Sequence, residues 1–358
     1  MTQGNNGSER LCYLLARELG SRIYTCGYDD RVNGSYPGIE KMVIVDQIEH
    51  PDSFSRKHFE IMRSMKSRKD VDADLIIYSG NQSPFRVKED NTPYLYFCHT
   101  PERGFYDLHE QTLSRMKEWG FPKYQMAKYL FEKRKKMDHE LFSKVINSQQ
   151  VITNSELVMD RYENAYGKRP RRAVGAPVKT SLYSCREPEG YFFSAGGLRW
   201  NKRVDWQIKA VAKAGVKLKI AGDGPERAKL EGLSRKLGAD VEFMGRSDDE
   251  ELRDAYSRCS AFIFSALDED FGMVPLEAMA SGKPVICVNE GGPLEYLDKD
   301  VSFLFNDIEG LSKILMEKSE EDFTGMKDAC LRKARKFDTK IFAGRIMEDI
   351  MTIKEEFY

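Results

Sequence analysis

Apolar positions along the chain alternate between two patterns, short continuous runs and longer stretches with a period near 3.6. Runs at Asp74–Tyr78, Tyr94–Cys98, Gln150–Thr153, Tyr191–Ala195, Lys217–Ala221, Val241–Met244, Ala261–Ser265 and Val285–Val288 predict strands, with further candidates at Arg22–Cys26 and Met42–Ile48. Helical periodicity predicts a helix capped by Ser8 and closed by Gly20, and others at Phe54–Lys66, Glu156–Tyr166, Val204–Ala214, 225–237 and Asp249–Ser257. After Phe305 the pattern is helical to the end. Repeated strand–helix alternation predicts an α/β protein with doubly wound parallel sheets. The loop-like stretch Lys179–Glu189 divides it, giving expected domains at 1–178 and 190–336, a linker at 179–189 and a terminal helical segment at 337–358.

The densest unit lies at 258–295, a strand, a loop, a helix opened by Pro275 and closed by Gly282, and a second strand. Its loop falls at the carboxyl edge of a parallel sheet, where ligands bind. Glu269 in that loop and Glu277 in the expected first helical turn sit beside free N–H groups and a positive dipole end. Carboxylates that accept from hydroxyls beside an anion site suit a sugar nucleotide. Two glutamates eight apart also arise by chance in so acidic a chain, and a first-turn Glu is ordinary dipole chemistry.

Composition narrows the class. The 358 residues suit two domains with separate cores, and a formal net charge of -1 gives no reason to expect a nucleic-acid partner. Mean hydropathy is -0.56. No stretch approaches the roughly 18 apolar residues of a membrane span, and no secretory leader is read. Seven scattered cysteines without a C-x-x-C pair suit a reducing cytoplasm and exclude a zinc cluster. Between Arg115 and Lys136, eight basic and two acidic residues interleave with Trp119, Phe121, Tyr124, Tyr129, Leu130 and Phe131. This segment is either a solvated helix whose aromatics fill a core or a peripheral contact with an anionic membrane on its inner face.

The stretch Glu269-Asp-Phe-Gly-Met-Val-Pro-Leu-Glu277, with the following A-x-A-x-G-x-P-V-I and Gly291-Gly292-Pro293, resembles the E-x7-E donor site of retaining glycosyltransferases of family 4. Similarity extends from Gly4 to the end and is strongest over 191–297. It implies a GT-B fold, two Rossmann-like doubly wound domains facing a central cleft, with the final helix crossing back to the first domain. The segment YFCHTPER resembles a mannosyltransferase-like branch of that family, which would put His99 beside the reacting sugar and Arg103, Tyr106 and Asp107 along the acceptor side. In the family the first helix follows a strand and a glycine-rich loop. Gly4-Asn-Asn-Gly7 matches the loop, no strand precedes it, and a start further upstream is the expected explanation.

The resemblance also distributes roles. Lys202, in Gly196-Gly197-Leu198-Arg199-Trp200-Asn201-Lys202-Arg203-Val204-Asp205, is the expected cation for the leaving diphosphate. The usual arginine position holds Gly197, and Arg199 stands two residues later. Gly245 would meet the nucleotide base, Glu277 the ribose, and Glu269 with Asp270, Phe271, Gly272, Met273 and Val274 the donor sugar and phosphates. The expected reaction moves a hexose, best matched by mannose from GDP-mannose, to a saccharide or lipid-linked acceptor with retention of configuration. A UDP-sugar donor and a non-catalytic binding relative are the alternatives. No cofactor or essential metal is expected, although Asp268-Glu-Asp270 formally matches D-x-D. A dehydrogenase is poorly matched, because Arg227 stands at the last glycine position after Gly222 and Gly224.

Overall fold

A computed structural model describes residues 7–25, 42–44, 73–81, 83–87 and 93–357. The chain divides into two compact units, Met1–Gly175 with Phe342–Tyr358, and Ala176–Ile341.

The first unit opens with helix α1 (Gly7–Glu18), whose Leu11 and Leu15 are buried. Strands β1 (Ile23–Thr25) and β2 (Met42–Ile44) pair in parallel. A second parallel sheet has the order β3-β4-β5-β6, from β3 (Ile76–Ser79), β4 (Tyr94–Cys98), β5 (Val151–Thr153) and β6 (Arg172–Ala173). Helices α2 (His109–Lys117) and α3 (Lys123–Glu140) lie between β4 and β5. Helix α4 (Glu156–Tyr166) begins where the Ser155 side chain accepts from the Val158 N–H and ends at left-handed Gly167. Its Tyr162 and Tyr166 pack with Tyr96 and Phe142 into an aromatic core, the Phe142 and Tyr166 rings stacked at 4.7 Å.

The second unit alternates strand and helix through β7 (Tyr191–Ala195), α5 (Val204–Ala214), β8 (Lys217–Ala221), α6 (Arg227–Leu237), β9 (Val241–Gly245), α7 (Asp249–Arg258), β10 (Phe262–Phe264), α8 (Met273–Ala280), β11 (Val285–Val288) and β12 (Ser302–Phe305). All six strands are parallel, in the order β12-β11-β10-β7-β8-β9. The central strands β10 and β11 are buried at every position, as strands covered on both faces must be, and so read as unbroken apolar runs. Helices α9 (Ile308–Glu317), α10 (Glu320–Thr324) and α11 (Lys327–Arg335) follow. Helix α12 (Thr339–Phe357) then carries the chain into the first unit, where buried Asp349 accepts two hydrogen bonds from Arg172 at 2.9 and 3.1 Å. Among the described residues no helix is long and apolar enough to cross a membrane.

The structure corrects several expectations. Helix α8 starts at Met273, after Gly272 at φ 82°, so Pro275 is its third residue and Glu277 lies in the second turn. Any of the first four N–H groups of a helix lacks an internal partner, so proline costs as little at the third position as at the first. Gly7 belongs to α1 and not to a loop, and Ser8 lies inside that helix. Strands β6 and β12 were not anticipated. The expected helix Phe54–Lys66, the end of Met42–Ile48, and Gly4 lie outside the described residues.

Removing Arg172 leaves buried Asp349 without its two hydrogen bonds and with Arg171, 3.6 Å away, as its neighbouring cation. Arg172→Ala is expected to lower stability by roughly 2 kcal/mol, and Arg172→Lys by less, in denaturant titration.

Candidate functional site

The strand order of the second unit contains a reversal. From β7 the chain steps outward through β8 and β9, then returns to lay β10 on the other side of β7 and steps outward again. The loops after β7 and β10 therefore leave in opposite directions and open a crevice between them, where doubly wound sheets bind ligands. Lys202 ends the first loop and Glu269 lies in the second. Their side chains meet across the crevice, Lys202 Nζ donating to Glu269 Oε2 at 2.5 Å. A recess lies beside Lys202, lined by Gly196, Gly197, Gln207, Ser265 and Ala266 among others.

Buried polar groups hold these loops. The Ser265 hydroxyl at the end of β10 donates to the carbonyls of Lys202 and Arg203 and accepts from Gln207 Nε2. The Leu267 N–H donates to the Asn201 carbonyl at 2.7 Å, joining the two loops directly. Arg203, left-handed at φ 49°, donates to Glu290 Oε1 and stacks on Trp206, and the same oxygen accepts from the Asp268 N–H. Ser265, Arg203 and Glu290 were not singled out from the sequence. The only available signal was a serine closing an otherwise apolar strand.

Glycines let the loops touch backbone to backbone. A Cβ on Gly222 would lie 1.9 Å from the Gly196 carbonyl oxygen, and one on Gly292 would lie 2.0 Å from that of Asp270. Both pairs are tied by neighbouring hydrogen bonds, Gly196 N–H to Ala221 and Gly292 N–H to Glu269.

The remaining candidates of this unit gather at the same edge. Asp270 is partly exposed in the β10 loop, and Met273 and Val274 form the first turn of α8. Phe271 is buried against Tyr296 and Phe337, so its side chain anchors the loop. Gly272 is held by a 2.6 Å hydrogen bond from the Tyr296 hydroxyl to its carbonyl. Glu277 is buried. Gly245 ends β9 at φ 75°, its carbonyl accepting from the Gly222 N–H. Arg199 is exposed, with Nε 3.9 Å from where a Cβ on Gly197 would stand, so its guanidinium occupies space beside the usual arginine position.

His99 and Arg103 belong to the first unit. His99 follows β4, and Ser79 ends the neighbouring β3. The Cys12 thiol of α1 donates to Ser79 Oγ at 3.0 Å, and Ser79 Oγ lies 2.7 Å from His99 Nε2. Burial lowers the His99 pKa to about 4, so the ring is neutral at pH 7. Arg103 is tied to Asp107 at 2.8 Å, and Tyr106 donates to buried Asp138 at 2.7 Å, as Tyr166 does at 2.9 Å. Burial lifts the Asp138 pKa to about 6 against those two hydrogen bonds. Tyr106 thus serves the core.

Comparison with known proteins agrees with the sheet order. Residues 184–336 match the family described as glycosyl transferases group 1. The match lies within the second unit and spans most of it. The fold is GT-B: the chain matches the crystal structure of Anabaena Alr3699/HepE in complex with UDP and glucose at a TM-score of 0.75, covering 98% of each chain at 16% identity. It is similar to the UDP-N-acetylglucosamine–peptide N-acetylglucosaminyltransferase GtfA subunit of Limosilactobacillus reuteri, 34% identical over 80% of this chain and 54% of that one. It is also similar to a GDP-mannose-dependent alpha-mannosyltransferase of Mycobacterium tuberculosis, 36% identical over 28% of this chain and 26% of that one. The chain spans from about a quarter to about half the length of these curated relatives.

Gly222→Ala should lose roughly 2–4 kcal/mol of stability because a Cβ meets a carbonyl, whereas Gly232→Ala, in an open position of α6, should gain about 0.5–1 kcal/mol. Denaturant midpoints of the two variants check the contrast. The first unit also carries opposed pH dependences. Neutral His99 has a folded pKa of about 4 against 6.5, so its contribution is present above 6.5 and lost as pH falls through 4. Asp138, at about 6 against 3.8, contributes below 3.8 and loses this as pH rises through 6. Between pH 4 and 6, Asp138→Asn should therefore leave a steeper loss on acidification than wild type, and His99→Gln a steeper loss on raising the pH.

Proposed function

We propose that this protein is a retaining glycosyltransferase that moves a hexose from a nucleoside diphosphate sugar to a saccharide or lipid-linked acceptor. The observation that carries the reading is the meeting of Lys202 and Glu269 across the switch point of the second sheet. An ammonium has three N–H donors, so Lys202 can hold Glu269 with one and a phosphate oxygen with another. As the bond from the sugar's anomeric carbon to phosphate breaks, negative charge grows on the diphosphate, and a cation already fixed there stabilises it without reorganisation. Glu269 accepts from sugar hydroxyls, Glu277 from the ribose, and the Gly245 backbone meets the base. Arg199 supplies the second cation from its displaced position.

The acceptor oxygen bonds to the anomeric carbon on the face the phosphate leaves, and its proton passes to the departing phosphate oxygen. Configuration is thereby retained through a loose, oxocarbenium-like transition state. His99, neutral at pH 7, orients the sugar through a ring nitrogen. It is not the general acid, because a pKa of about 4 leaves no imidazolium at pH 7. No metal is required in this reading.

Two donors have specific support. GDP-mannose is favoured by the YFCHTPER segment and the mycobacterial relative, and a UDP-sugar by the relative that matches 80% of the chain. Release of nucleotide from GDP-mannose, UDP-glucose and UDP-N-acetylglucosamine, with and without EDTA, separates them. One donor should turn over unaffected by EDTA, and Lys202→Ala should lower kcat about 10²- to 10³-fold. Turnover in wild type that survives Lys202→Ala and Glu269→Gln undiminished would contradict the reading, and binding without turnover of any donor would favour a non-catalytic relative.

A further inference from the structure

Helix α3 and the turn before it have two faces of opposite character. Phe131 and Asp138 point into the protein and are buried. On the other side stand Phe121 at 83% exposure, Tyr129 at 64%, Met126 at 63%, Trp119 at 56% and Leu130 at 49%. At 3.6 residues per turn, Met126, Tyr129, Leu130 and Lys133 fall within about one third of the helix circumference. Scattered surface apolar residues need no explanation, but five large ones gathered over twelve positions do. Of the side chains named for this segment, Phe131 is buried, Tyr124 is half-buried, and Trp119, Phe121, Tyr129 and Leu130 are exposed, so most of them do not fill a core.

The charge around this face is equally one-sided. Lys123, Lys128, Lys133 and Lys136 are all exposed on α3, and Arg115 and Lys117 end α2. Residues 115–136 hold eight basic and two acidic side chains in a chain whose net charge is -1. Of the two acidic residues, Glu132 is within 3.1 Å of His109. Aromatic and thioether side chains ringed by lysines match the boundary of an anionic bilayer, where rings enter the headgroup layer and ammonium groups meet phosphates. Another protein's surface would have to supply an acidic rim and an apolar centre together; an anionic membrane presents both everywhere.

We propose that this face, Trp119 to Lys136, docks the protein on an anionic lipid surface. The contact is peripheral. Each lysine near such a surface adds a modest attraction that salt screens, and the apolar side chains add a component that salt does not remove.

The test is co-sedimentation of the full chain with vesicles of phosphatidylcholine alone and of phosphatidylcholine with about 30% phosphatidylglycerol, at low and high salt. Wild type should partition at least tenfold better onto the anionic vesicles and lose most of this in high salt. The triple variant Lys123→Glu, Lys133→Glu, Lys136→Glu should lose binding at least tenfold. Phe121→Ser with Tyr129→Ser should weaken it several-fold while leaving its salt dependence in place. All these positions are exposed, so unfolding midpoints should match wild type and exclude misfolding as the cause. Failure of wild type to bind anionic vesicles, or equal binding to neutral ones, would overturn the proposal. So would self-association abolished by the same substitutions in the absence of vesicle binding, which would assign the face to a second copy of the chain. None of these outcomes depends on which sugar is transferred.

Discussion

The second unit depends on loops that approach more closely than any side chain allows. Carbonyl oxygens of Gly196 and Asp270 occupy the places where Gly222 and Gly292 would carry a Cβ. This contact knits the ends of β7, β8 and β9 into one rim, and the β10 and β11 loops into another. Ser265 and the Leu267–Asn201 hydrogen bond then fasten the rims together. Lys202 and Glu269 are consequently presented from fixed backbone and not from mobile chain, as electrostatic preorganisation requires.

The ion pair itself contributes little to stability. Both side chains are about a quarter exposed, and solvent screening leaves such pairs with a small net energy. Its value is positional. A lysine parked on a glutamate at the switch point is kept in one place. Arg203 and Glu290 act behind it, the arginine reaching over Trp206 to hold the carboxylate that also caps the Asp268 N–H. In the first unit, Cys12 and Ser79 do a comparable job for His99, holding its ring through a chain of two hydrogen bonds.

Much of this architecture was legible because most of the buried parallel strands are short, largely apolar runs. The strands β4, β7, β8 and β11 and the helices α4 and α5 coincide with their predicted limits. Other features left no local trace. Strand β6 is only Arg172–Ala173, held by its pairing with β5 and by Asp349 on a helix 177 residues away. Glu277 was placed one turn too early because proline is equally tolerated at the first and third helical positions, and only the left-handed Gly272 decides between them. Cys12 and Ser79 are 67 residues apart, and no spacing rule links them. Segment 115–136 was ambiguous because its aromatics occupy both sides of one helix, and burial alone separates Phe131 from Tyr129 and Leu130.

The central claim is that Lys202 and its loop form a diphosphate site. Thermal unfolding of wild type and Lys202→Ala, each with GDP, UDP or ADP, tests it most directly. A nucleotide at about a hundred times its dissociation constant should stabilise wild type by roughly 2.7 kcal/mol, and the variant by much less at the same concentration. Equal stabilisation of both proteins, or none with any of the three nucleotides, would contradict the account.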